Sequence, residues 1–132
     1  MSTYSIINYE EGDRVLAEWQ TLGREAQNLS DRLPDNAKAA FFEMVLHPVL
    51  AGGNVHEIAI SSAKNQLYAF QGRSSANAMA EHVLDRWKYD HDLTDRYHKL
   101  LGGKWDHMMD QPHFYNNYWL VYVKLTIVLV DK

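Results

Sequence analysis

The sequence predicts an all-α fold, a bundle of about five helices with short connections. Three observations carry this expectation. Apolar residues recur at helical spacing through most of the chain before Gly102. Glycine, proline and capping residues punctuate that periodicity at short intervals. The composition suits a packed core: 132 residues, 46% hydrophobic and 12% aromatic, enough for one domain.

The first helix has a start signal in Asn8, with Glu11 placed to complete a capping box. Val15, Trp19, Leu22, Ala26 and Leu29 follow at spacings of four, three, four and three, the seam of a bundle. Arg14, Glu18, Gln20, Arg24, Glu25 and Gln27 supply its wet faces. Pro34 suits the first turn of a second helix, with Asp35 beside it to meet the dipole. That helix is apolar nearly all round (Phe41, Phe42, Met44, Val45, Leu46, Val49), which predicts a central, buried position. Pro48 is expected to kink or break it, and Gly52-Gly53 to break the chain again.

A third helix is expected from Asn54 to about Gln71, with Val55, Ile58, Ala59, Ser62, Ala63, Leu67 and Tyr68 inward and Gly72 as its stop. Ser74 or Ser75 caps a fourth, whose buried stripe is read as Ala76, Met79, Ala80, Val83, Leu84 and Trp87. Asp90 or Asp92 caps a fifth, with Leu93, Tyr97, Leu100 and Leu101 inward and Gly102-Gly103 closing it. Residues 1–119 thus read as a helical domain with a terminal loop. Residues 120–132 form an apolar, β-branched tail with strand propensity, too short to cross a membrane as a helix.

Chemically capable side chains concentrate in the loop Gly102–His113, with Tyr118 and Trp119 just beyond. His107, Asp110 and His113 are three apart and carry metal-ligand donor types. Pro112 disfavours the helix that would align them, and hydrogen bonding within a tight loop is the simpler reading. No metal and no cofactor is expected. Trp105, Tyr118 and Trp119 have faces suited to stacking on sugar rings, or would plug a joint between the helical domain and a neighbouring one; for Trp105, packing outweighs sugar contact. Met108 and Met109 read as apolar filler at that joint. His47, His56, His82, His91 and His98 are scattered over different helices and read as surface or half-buried residues. No nucleophile elbow, phosphate loop or dinucleotide fingerprint occurs.

Gly103–His113 resembles the G-K-W-N-H-M-M-D-Q-T-H segment of glycoside hydrolase family 115, the xylan α-1,2-glucuronidases. Ala40-Phe41-Phe42 with Val45-Leu46-His47-Pro48-Val49 resembles its A-F-F-x-x-V-L-Y-P-V. Lys64–Ala69 and Gln71–Asn77 resemble its K-N-R-L-Y-A and Q-G-R-x-S-A-N. The likeness runs from about Tyr4 to Trp119 and ends there. It implies a non-catalytic helical domain that follows a catalytic barrel, in an enzyme that hydrolyses glucuronic acid or 4-O-methylglucuronic acid side chains from xylan. Because the catalytic residues of the family belong to the barrel, none is assigned here, and Asp106 replaces an asparagine of the motif. The implied partners are a xylan-derived saccharide and the barrel domain. The substrate-facing candidates are Lys104, Trp105, His107, Asp110, His113, Tyr118 and Trp119.

A chain of this kind is expected to be a fragment of a longer, commonly exported product, although no secretory signal occurs at its N-terminus. A different class, a free-standing helical interaction or oligomerisation module that forms a homodimer, stays open. The net charge of −4 and the lack of a basic patch argue against nucleic acid. The absence of cysteine excludes disulfides and thiolate metal sites.

Overall fold

A computed structural model of the chain describes residues 4–111 and 127–130. These residues are helical or irregular, with no strand among them. The elements are α1 (Glu11–Arg32), a short α2 (Asp35–Phe41), a π-helical turn (Phe42–Leu46), α3 (His47–Phe70), α4 (Ser75–His98) and a 3₁₀ turn (Leu100–Gly102). The fold is all-α, as the sequence predicts, but the long helices are fewer than five.

The start of α1 departs from the expected capping box. Tyr9 and Glu10 are left-handed, with φ of 56° and 50°. The Ser5 hydroxyl, not Asn8, accepts from the backbone N–H groups of Ile7 and Asn8, and the Ser5 carbonyl accepts from Gly12. Glu11 does reach back, but its carboxylate accepts from the N–H of Ser5 at 2.7 Å.

The seam of α1 also differs from the expected one. Leu22 and Leu29 are exposed, at 45% and 42%. The inward positions are instead Gly12, Leu16, Trp19, Gly23, Ala26 and Ser30, spaced four, three, four, three and four. Small residues dominate this stripe, so α1 can approach α3 closely.

Neither Pro48 nor Gly52-Gly53 breaks the second helix. Pro48 has no N–H, and its ring would crowd the carbonyl four residues back, on Met44. The π turn relieves this: His47 N–H bonds to the Phe42 carbonyl, one residue further back than in an α-helix. The two glycines are a seat. The Trp19 indole lies so close that a Cβ on Gly52 would stand 2.9 Å from it. The expected second and third helices are therefore one long, locally widened rod.

At the end of α3 the expectation holds. Gly72 is left-handed at φ 67°, and Arg73 N–H bonds to the Tyr68 carbonyl. The fourth and fifth expected helices merge into α4. Asp90 is no cap but a buried mid-helix residue, while Leu84 and Trp87 face outward. The real stripe is Ala76, Ala80, Val83, Asp90, Leu93 and Tyr97, which packs along α3. One core cluster comprises Ala26, Phe42, Leu46 and Tyr97. The centrality of the second helix is only partial, since Met44 is 77% exposed. Of the tail, residues 127–130 lie irregularly across the α3–α4 turn, and the expected strand otherwise falls outside the described residues. Among the described residues, no helix is long and apolar enough to cross a membrane.

Candidate functional site

The loop after α4 owes its course to backbone conformation. Leu101, Gly102 and Gly103 are successively left-handed, at φ 52°, 71° and 89°. Glycine takes this region without penalty, so the double glycine lets the chain reverse. Residues 103–110 then run back along the last turn of α4 in consecutive turns, held by Lys104 N–H to Leu100 O, Asp106 N–H to Gly103 O and Met108 N–H to Trp105 O.

This reversal sorts the side chains. Trp105 and Met109 pack inward against the cluster of Ala26, Phe42, Leu46 and Tyr97. Met108 points outward at 57% exposure. Trp105 and Met109 thus pack on this chain's own core, where the sequence reading had a joint with a neighbouring domain. The outer face of the indole is covered by Lys104, whose Nζ lies 4.7 Å from the ring centre. Trp105 Nε1 is buried and has no hydrogen-bond partner among the described residues.

Above this plug sits a cluster of imidazoles and carboxylates. His107 Nδ1 and Asp110 Oδ2 are 2.7 Å apart, and the His107 N–H donates to Asp106 Oδ1 at 3.1 Å. His98, at the end of α4, completes it. Its Nε2 accepts from the N–H of Met109 at 3.1 Å, so the neutral ring carries its proton on Nδ1, which faces Asp106 at 3.7 Å. The rings of His98 and His107 are 6.2 Å apart. The hydrogen bond to Asp110, then the charges of Asp106 and Asp110, raise the His107 pKa above its ordinary value.

The sequence reading placed His98 among scattered histidines and missed it. The available signal was its position one turn before a double-glycine reversal, where a returning loop must meet it. Of the seven substrate-facing candidates, the structure brings Lys104, Trp105, His107 and Asp110 together. His113, Tyr118 and Trp119 fall outside the described residues. Among the described residues, no three imidazole or acidic groups are placed to share a metal ion.

A cleft away from the loop was not anticipated. A cleft of about 410 Å³ runs between α1, α3 and α4, lined by Trp19, Arg24, Asn54, Glu57, Arg86 and Arg96, among others. Asn54 donates from Nδ2 to the Arg86 carbonyl at 3.0 Å. Asn54 Oδ1 and Arg86 Nε are buried and lack hydrogen-bond partners among the described residues. Comparison of the sequence with protein-family models and with curated proteins finds no match.

Proposed function

We propose that this chain is a non-catalytic helical module of a xylan α-1,2-glucuronidase, which packs against a catalytic barrel and presents the loop 103–110 toward an acidic saccharide. The sequence likeness supplies the family and the reaction. The observation that carries the reading is the division within the motif loop. Trp105 and Met109 anchor it to the core, while Lys104, Asp106, His107 and Asp110 stand together at the surface. An anchored loop with a polar crest is suited to positioning, because its geometry is fixed before any ligand arrives. The crest offers a cation and imidazole donors to a carboxylate and hydroxyl groups. The barrel would contribute the paired carboxylates of glycoside hydrolysis.

The test is the mass of the native product in its own cells, probed with an antibody raised against residues 11–98. A species far larger than 15.3 kDa that releases glucuronic acid from glucuronoxylan is expected. A product of 15.3 kDa with no such activity in its complexes would contradict the proposal.

A free-standing interaction module is the second reading. It is favoured by large apolar side chains left on the surface, Phe70 at 91% and Met44 at 77% exposure among them. Concentration-dependent self-association in sedimentation velocity, without saccharide binding, would favour it.

A further inference from the structure

Two asparagines near the α3–α4 turn hold residues 127–130 in an unusual way. Asn77 donates from Nδ2 to the Val130 carbonyl at 2.9 Å and accepts the Val130 N–H on Oδ1 at 2.8 Å. Asn65 does the same for Val128, at 2.9 Å in both directions. A carboxamide is a peptide group on a stalk, with one acceptor and two donors. Each asparagine therefore pairs with the N–H and C=O of a single residue, as the facing residue of an antiparallel strand would. Val128 and Val130 are two apart, so in an extended chain their polar groups address the same edge.

The hold is on the main chain rather than on side chains. Val128 is 38% and Leu129 74% exposed. Asn65 is fixed independently of the segment it holds. Asn65 is fully buried, and its second Nδ2 hydrogen goes to the Ala76 carbonyl at 2.8 Å, which ties α3 to the start of α4.

We propose that Asn65 and Asn77 form a peptide-docking site that reads the main chain of an extended segment. Its ligand class is an extended peptide with free N–H groups at two positions spaced by two. Residues 127–130 are the occupant here. Side-chain identity matters little to such a site, whereas proline at either paired position is excluded because it has no N–H to donate. The site is independent of the saccharide reading.

The experiment uses the full-length chain carrying Val128→Pro and Val130→Pro, which strips both donors from the internal occupant. A fluorescent, acetylated peptide with the sequence of residues 126–132 is titrated into it and followed by anisotropy. Saturable binding is expected. The same peptide N-methylated at the Val128 and Val130 amides should not bind. Adding Asn77→Ala to the protein should weaken binding about tenfold, the effect of losing two neutral hydrogen bonds. Asn77 is chosen because Asn65 also braces the helix pair. Lack of binding by the unmodified peptide, equal binding of the methylated one, or indifference to Asn77→Ala would each overturn the proposal. Hydrogen exchange on the unaltered chain gives a check that needs no proline variant. The Val128 and Val130 amides should be protected, and Val130 should lose protection in Asn77→Ala; unprotected amides in the unaltered chain would overturn it too.

Discussion

The two ends of the α3–α4 hairpin each hold a non-helical segment, and they do so with different chemistry. At the turn end, the neutral carboxamides of Asn65 and Asn77 grip residues 127–130. At the open end, His98, Asp106, His107 and Asp110 secure the returning loop over an apolar plug. Amides do not titrate in the physiological range, so the first grip should be insensitive to pH. Imidazoles do, so the second should respond. The difference also separates roles. In the two proposals above, the amide end takes a peptide main chain and the exposed ionisable end a ligand that carries charge.

The strongest way to break this contrast is to remove the support under the open end. Leu46 is fully buried in the cluster on which Trp105 and Met109 rest. Leu46→Ala should destabilise the chain by about 2–5 kcal/mol in urea unfolding, through lost burial and a residual cavity. It should also broaden the signals of the loop. A smaller effect is expected in the second turn of α3, where Trp19 sits on Gly52 and Gly53. Trp19 is only half-buried, so Trp19→Ala should cost about 3 kcal/mol, the low end for such truncations. Glu18→Ala, on the exposed face, should stay within about 0.5 kcal/mol. Equal unfolding midpoints for these two variants would mean that the seam of α1 lies elsewhere.

At the turn end, Asn65→Ala takes the side-chain donor from the Ala76 carbonyl and removes both hydrogen bonds to Val128. A loss of about 1–3 kcal/mol is expected, since the Ala76 carbonyl in particular has lost a buried donor. Thermal unfolding at two pH values should give the same loss, because no titrating group is removed. The smallest effect is the pH response of the open end. The pKa of His107 is raised in the folded chain by Asp110 and Asp106. Its stabilising contribution is therefore fully present below the ordinary value of 6.5 and fades as pH rises through the raised value. His107 is exposed, so the readout is its imidazole chemical shift rather than global stability. A shift midpoint at or below 6.5 would contradict the arrangement.

How much of this was legible in the sequence differs along the chain. The stops at Gly72 and Gly102-Gly103 were readable because left-handed backbone leaves a residue-type signature. That Trp105 packs was readable from its size and apolarity, but that it packs on this chain's own core was not, because a loop reversal decides it. The face of α1 was read only in part: Trp19 and Ala26 were placed correctly, but hydrophobicity favours Leu22 and Leu29 while close packing selects Gly12, Gly23 and Ser30. Pro48 and Gly52-Gly53 read as breaks because local propensity cannot reveal a π turn or an indole arriving from another helix. Asp90 read as a cap because burial of a carboxylate depends on tertiary neighbours. The asparagine grip left no local signal at all: Asn65 and Val128 are 63 residues apart.

The most direct test of the account is a titration of the full-length, ¹⁵N-labelled chain with a 4-O-methylglucuronic-acid-bearing xylo-oligosaccharide, followed by heteronuclear NMR. Saturable shifts are expected for the amides of Lys104 and His107 and for the indole N–H of Trp105, with the side-chain amides of Asn65 and Asn77 unmoved. A silent loop, or equal shifts at both ends of the hairpin, would contradict it.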